Sequence, residues 1–258
     1  MKSSEHFNHT LAEQEEIAID FKKYDVTSLP VVDLENRLIR IITFDDIMEI
    51  VEEETTEDIE KMAAITPSDK TYMRTGVFET WKKRIPWLLL LMISATFTGA
   101  IITHFENALD KYVVLTAFIP MLMDTGGNAG SQASVTIIRG LALGEIEMKD
   151  VFRVIWKEIR VAVLCGCVLS VCNFGKIMLV DNLIFHNDVS VQVALVVCLT
   201  IIVTIFFSKL VGSTLPMLAK KLGFDPAVMA SPFITTIVDA LSLLVYFNIA
   251  KVILGATS

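Results

Sequence analysis

Hydrophobic positions in this chain gather into five long runs separated by short charged joints, and all five lie after residue 84. Ile85 to Thr103 carries no charge, and Tyr112 to Ile138 is interrupted only by Asp124. The third run spans about Val154 to Val180 and is most apolar from Val161 to Gly175. Val189 to Ser208 is again uncharged, and Pro226 to Ala250 is interrupted only by Asp239. Each run approaches the roughly 20 residues with which a helix crosses the hydrocarbon core. Barrel strands would be about 10 residues long with alternating character, and no run alternates in that way. The pattern predicts an α-helical integral membrane protein with five transmembrane helices.

The first 84 residues are polar and acidic by contrast. Thr10 to Tyr24 has helical character, Leu29 to Asp33 reads as a strand, Glu35-Asn36 as a turn, Arg37 to Thr43 as a second strand, and Phe44 to Ile65 as a long helix. Thr66 to Ile85 joins this part to the membrane and is expected to run on as helix after Pro67. Three segments follow: a cytosolic α/β piece at 1–54, an acidic connecting helix at 55–84 and a membrane domain at 85–258. Met1-Lys-Ser-Ser-Glu-His6 leads into no apolar core, so no signal peptide is expected.

Composition agrees: 53% of the 258 residues are hydrophobic, more than a soluble domain carries. The net charge of −8 argues against a nucleic-acid partner. Lys and Arg set the orientation. Lys82, Lys83 and Arg84 precede the first run, Arg139, Lys149, Arg153, Lys157 and Arg160 lie between or just inside the second and third, and Lys220 and Lys221 lie between the fourth and fifth. Only Lys111, Lys176 and Lys251 fall on the other side, a bias of ten to three. The N-terminus is therefore expected in the cytosol and the C-terminus outside. Cys165, Cys167, Cys172 and Cys198 all sit in apolar runs and read as packed thiols without zinc or disulfides. His6, His9, His104 and His186 form no catalytic pattern with an acid, and no phosphate-binding loop is present, so an enzyme is not expected.

Asp124 and Asp239 carry the candidate chemistry. A carboxylate at membrane depth costs about 2.5–3.5 kcal/mol on insertion scales, and such groups face watery cavities or cations. From Asp124, Gly127, Asn128, Ser131 and Gln132 fall at i+3, i+4, i+7 and i+8, a single helical face of oxygen-bearing groups. Gly126 and Gly130 form a Gly-xxx-Gly pair, which packing alone would also explain. In the last run Pro232, Thr235, Thr236, Asp239 and Ser242 again share a face, with Pro232 expected to free a carbonyl. A protonated, structural Asp239 is the competing reading. Oxygen-only donors suit a hard cation such as Mg²⁺, which keeps much of its water. An odd number of helices closes a pore more naturally as a homodimer. Nine acids from Asp45 to Glu60, with no base among them, form either a solvated face or a divalent-cation sensor.

The string Pro120-Met-Leu-Met-Asp-Thr-Gly-Gly-Asn-Ala-Gly-Ser-Gln132 resembles the signature of the MgtE magnesium transporter/channel family and its eukaryotic solute-carrier relatives. Arg84-Ile-Pro-Trp87, Phe118-Ile-Pro120, Ser231-Pro-Phe-Ile-Thr-Thr-Ile-Val-Asp239 and Glu52-Glu-Glu-Thr-Thr-Glu-Asp-Ile59 are similar too. The resemblance covers Phe21 to the C-terminus. It implies passive Mg²⁺ transport across the plasma membrane by a homodimer whose pore is lined by the second and fifth helices. It makes Asp239 the essential pore aspartate, with Gly127, Asn128 and Thr235 helping to hold the hydrated ion. It also places Glu53, Glu57 and Asp58 in an acidic, Mg²⁺-sensing stretch, so that Mg²⁺ is both substrate and regulator. Against the family pattern, the N domain and first CBS domain are missing and only the later half of a second CBS domain remains, with Arg40 where a glycine is usual. CBS domains work in pairs, so ATP contact through Thr43 and Asp46 is not expected of this remnant. A truncated chain is expected. Transport of Mn²⁺ or Co²⁺, or a transport-dead regulatory fragment anchored in the membrane, are the alternatives.

Overall fold

The computed structural model describes residues 8–9, 14–24, 26–68 and 70–255. The chain is mostly helical, with a small N-terminal sheet. Strand β1 (Asn8–His9) pairs in parallel with β2 (Ser28–Val32), which pairs antiparallel with β3 (Leu38–Thr43). The expected strand at Leu29–Asp33 ends one residue early because Asp33 shapes the turn. Its Oδ1 accepts the Glu35 and Arg37 amides at 2.9 Å, while Asn36 takes φ 58°. Helix α1 (Gln14–Tyr24) and helix α2 (Phe44–Met62) close the unit around Ile17, Phe21, Leu29, Val31, Ile42 and Ile47. The expected start of α1 at Thr10, and the N-terminal Met1–His6 stretch, lie outside the described residues.

Helix α2 does not resume after Pro67, which corrects the expected helical joint. Ala64 turns left-handed at φ 54°, and the Ala63 and Ala64 amides bond back to carbonyls of the last turn. The chain then folds against the next helix: the Thr66 amide donates to Lys83 O at 3.1 Å, and Lys83 Nζ donates to Pro67 O at 2.8 Å. A 3-10 turn at Tyr72–Arg74 follows, and helix α3 (Val77–His104) begins eight residues before the expected run and passes through Pro86 unbroken.

After α4 (Glu106–Lys111) and a 3-10 turn at Val113–Phe118 come α5 (Ile119–Ala142), α6 (Val151–Lys176), α7 (Val191–Lys221) and α8 (Ser231–Leu254). A π-helical turn at Ile177–Asp181 ends α6, and a 3-10 turn at Pro226–Met229 leads into α8. Among the described residues four stretches are long and apolar enough to cross a membrane: Val77–His104, Met148–Asp181, Val191–Lys221 and Pro226–Leu254. Helix α5 is not among them, because Thr125 to Gln132 dilutes its apolar character with glycines and amides. It is nonetheless packed into the bundle: α7 contacts α5, α6 and α8, and α8 contacts α5 and α3. Leu115, Leu122, Val196, Ile205, Tyr246 and Phe247 fill the shared core. The end of the bundle where α8 finishes is pinned by the Tyr246 hydroxyl on Leu115 O at 3.0 Å and the Tyr112 hydroxyl on Leu254 O at 2.9 Å.

Helix α7 runs 13 residues beyond the expected stop at Ser208. Lys209 does not end it, because its ammonium turns inward to Glu158 of α6, Nζ to Oε2 3.9 Å, with both residues buried. The cysteines are free; Cys198 is buried and bonds to Ser170 O, whereas Cys167 and Cys172 lie exposed on α6 rather than packed in a core.

Candidate ion-conducting seam

The second and fifth apolar runs meet where sequence placed their acids. Helix α5 presents Gly127 directly to Thr235 and Asp239 of α8. A Cβ on Gly127 would lie 3.0 Å from Thr235 Cγ2 and 3.8 Å from Asp239 Oδ1, so a hydrogen there lets the two helices approach this closely. One position earlier, a Cβ on Gly126 would meet Thr204 Cγ2 at 2.7 Å and Ser242 Oγ at 2.8 Å, on α7 and α8. Packing and the polar stripe are therefore properties of adjoining faces of one helix. Gly126 and Gly130 are buried against α7 and α8, while Asp124, Asn128 and Gln132 are exposed, Ser131 half-buried and Gly127 buried at the junction.

Asp239 is half-buried and Asp124 exposed, and the two carboxylates lie within electrostatic reach of each other. Among the described residues neither is engaged by a basic side chain. The α8 stripe divides. Thr235 and Asp239 face the seam, whereas Ser242 is buried beneath Gly126 with its hydroxyl on Val238 O. Pro232 sits in the first turn of α8, where no intrahelical bond is lost, so it frees no carbonyl; its own carbonyl accepts the Thr235 and Thr236 hydroxyls at 2.9 and 3.0 Å. The lone pairs of the Thr235 hydroxyl remain available. Two carboxylates with hydroxyl and amide oxygens nearby, and no cationic counterpart, give a local negative field. Such a field favours a cation, and a divalent one above a monovalent one.

At the other end of the bundle, α2 docks against the joint between α7 and α8. Lys61 Nζ lies 2.5 Å from Glu57 Oε1 and 2.5 Å from Asp225 Oδ2. Asp225 also accepts the Ala227 amide at 2.8 Å, capping the 3-10 turn before α8. Around this clasp lies a cavity of about 860 Å³, lined by Glu54, Glu57, Asp58, Lys61, Lys220 and Asp225 among others. Burial pushes the Asp58 carboxyl above the ordinary carboxylate range, and the Asp225 charge adds to it. Burial likewise raises Glu54, with Glu57 adding. Burial alone would lower Lys61, but the carboxylates of Asp225 and Glu57 hold its ammonium and raise it. Of the three expected sensor acids, Glu57 and Asp58 line the cavity and Glu53 is exposed away from it. Among the described residues no group of three His, Cys, Asp or Glu side chains converges closely enough to hold a metal ion.

Thr43 and Asp46 form a helix cap: the Thr43 amide and hydroxyl donate to Asp46 Oδ2 at 2.8 and 2.7 Å, which holds that carboxyl below its ordinary range. Sequence reasoning had Glu54 only as one of the nine acids of the run, and missed Lys61, Asp225 and the Glu158–Lys209 pair. Lys61 directly follows the acidic run, and Asp225-Pro226 is a helix-start signal, so both carried a local sign.

Apolar helices that close around an uncompensated carboxylate and a threonine define an integral membrane protein of the transporter class. The family model MgtE, described as divalent cation transporter, matches residues 119–249, and the chain belongs to that family. Proteins named magnesium transporter MgtE are 38% identical over 247 residues in Thermus thermophilus, covering 96% of this chain and 53% of the relative. In Bacillus subtilis the figures are 37% over 240 residues, 93% and 51%, and in Enterococcus faecalis 32% over 243 residues, 94% and 51%. The chain thus spans about half the length of the curated relatives it matches. The family is one of transporters, not enzymes.

Proposed function

We propose that this chain moves Mg²⁺ passively across the plasma membrane, as a homodimer, along a seam lined by α5 and α8. The observation that carries the reading is the contact of Gly127 with Thr235 and Asp239, beside the exposed row Asp124, Asn128 and Gln132. In a single copy this row faces outward. A second copy placed against it turns a half-groove into a passage with two Asp239 carboxylates, which hold a largely hydrated ion through its water. Helix α5 serves as the fifth span: its 24 residues reach about 36 Å, and it is wedged between two helices apolar enough to cross. The Lys and Arg bias puts the N-terminus in the cytosol. The segments 1–54, 55–84 and 85–258 then serve as CBS remnant, connector and pore. Glu57 and Asp58, with Glu54, form a cytosolic face on which Mg²⁺ acts as regulator, and Glu53, exposed away from the cavity, offers a separate carboxylate to the ion.

The test is Mg²⁺ flux into liposomes. Flux by the parent chain that disappears in Asp239→Ala supports the reading; undiminished flux in that variant removes Asp239 from the pathway. The donors are all oxygen, which also admits Mn²⁺ and Co²⁺, and a competition series in the same assay ranks the ions. A dimer that gives no divalent flux identifies a transport-dead membrane anchor instead.

A further inference from the structure

We infer that the cytosolic end of α6 is a binding site for the headgroup of an anionic phospholipid of the inner leaflet. The inference rests on the membrane orientation proposed above, and its geometry lies apart from the seam. Phe152, Trp156 and Arg160 fall at i, i+4 and i+8 and share one stripe, with Arg153 and Lys157 on the adjoining stripe. Phe152 is 85% and Trp156 60% exposed. Helix α6 packs on α7, which leaves this face uncovered by the bundle.

Among the described residues, two of the three cations on it have no acidic partner. Arg160 Nε donates to the Trp156 carbonyl at 3.3 Å and its guanidinium lies 5.9 Å from the Trp156 ring centroid, so the side chain is held along the helix without a carboxylate. Lys157 makes no ion pair or hydrogen bond with any described residue. Arg153 alone has an acid, Asp150, at 3.0 Å. The single acid within α6, Glu158, points the opposite way, into the buried contact with Lys209.

Depth fixes the chemistry of the partner. Val161 to Val180 supplies the roughly 20 residues that cross the hydrocarbon core, so Arg160 stands at its edge and Lys157 one turn outside, at the level of lipid phosphates. Trp156 sits where aromatic rings line the interface. Above Arg160, Val163, Leu164 and Val168 are exposed and apolar, a continuous track for an acyl chain. Two uncompensated cations at phosphate depth, an indole beside them and an apolar track above complement a negatively charged lipid and not a zwitterionic one.

The experiment uses the whole chain in detergent with added phosphatidylglycerol or phosphatidylcholine, read by native mass spectrometry. The expected result is selective retention of phosphatidylglycerol, reduced roughly ten- to thirtyfold by Lys157→Gln with Arg160→Gln, two basic charges being removed from a membrane surface. The charge-conserving pair Lys157→Arg with Arg160→Lys is expected to retain it, which separates lost charge from lost fold. Brominated phosphatidylglycerol should quench Trp156 in a Trp81→Phe, Trp87→Phe background. Equal retention of both lipids, retention unchanged by the double substitution, as when a second copy covers the face, or displacement by inorganic phosphate alone would overturn the inference. Flux measured in parallel keeps the two readings apart: flux without selective retention removes only the lipid site, and selective retention without flux removes only the transport reading.

Discussion

At the scale of single residues, one hydrogen atom sets the distance between the two helices of the seam. Gly127→Ala places a methyl group 3.0 Å from Thr235 Cγ2, a contact relieved by a shift of a few tenths of an ångström in the Thr235 side chain or in α8. The expected cost is about 1–3 kcal/mol of overpacking, with Mg²⁺ flux falling while Asp239 stays in place; normal flux in a stably folded Gly127→Ala protein would contradict the seam. The Glu158–Lys209 pair behaves differently. Lys209→Met leaves Glu158 charged and buried without its partner, and is expected to destabilise by about 3–5 kcal/mol. Adding Glu158→Gln should recover most of that loss, and thermal unfolding of the single and double variants in detergent measures both.

At the scale of elements, α2 and the α7–α8 joint form a clasp whose strength depends on pH. Asp58 and Glu54 have carboxyls raised above their ordinary values of 3.8 and 4.5. Their ionised forms oppose docking, so the penalty is present at neutral pH and relieved as pH falls through the raised values towards the ordinary ones. Greater amide protection in Phe44–Met62, after correction for the pH dependence of exchange itself, is expected on mild acidification as Asp58 and Glu54 take up protons. Mg²⁺ should slow exchange at neutral pH and add little once these acids are protonated. Asp225→Ala removes both an ion-pair partner and a cap, the cap being worth about 1 kcal/mol, and should speed exchange in α2 under every condition. The same elements show what sequence could and could not reveal. Both expected strands, the α2 run and the four stretches apolar enough to cross were legible because each is a local pattern. The extension of α7 past Ser208 was not, since an isolated lysine looks like a boundary until its partner on α6 is placed. The clasp was hidden for the same reason: Lys61 and Asp225 are 164 positions apart. The break after Met62 was masked because Pro67 opens a helix as readily as it follows one.

At the scale of the whole molecule, the apolar bundle leaves a polar row facing outward, and the proposed homodimer would cover it. Single cysteines at Asn128 or Gln132, in a chain whose own four cysteines are replaced, are expected to cross-link between copies in membranes, and cysteines at Leu164 are not. Cross-linking at Leu164 alone would place the contact on another face. Asp124 and Asp239 stood out in the sequence as lone acids; that α5 and α8 approach closely at Gly127 could not be read from helical spacing, because a glycine in a helix reads equally as looseness and as closeness, and only the family resemblance put Gly127 beside Thr235 and Asp239.

Helix α3 is an unbroken rod of 28 residues, about 42 Å long, that rests on α8 and little else. Its N-terminal end is tied to the connecting segment by Lys83, and its flank lies on the helix that carries Asp239. Tilting such a rod by about 5° swings its far end by roughly 4 Å. The connecting segment therefore bears on α8 directly, and on α5 only through the close contact at Gly127, so motion at that end of the bundle reaches the two walls of the seam by different routes.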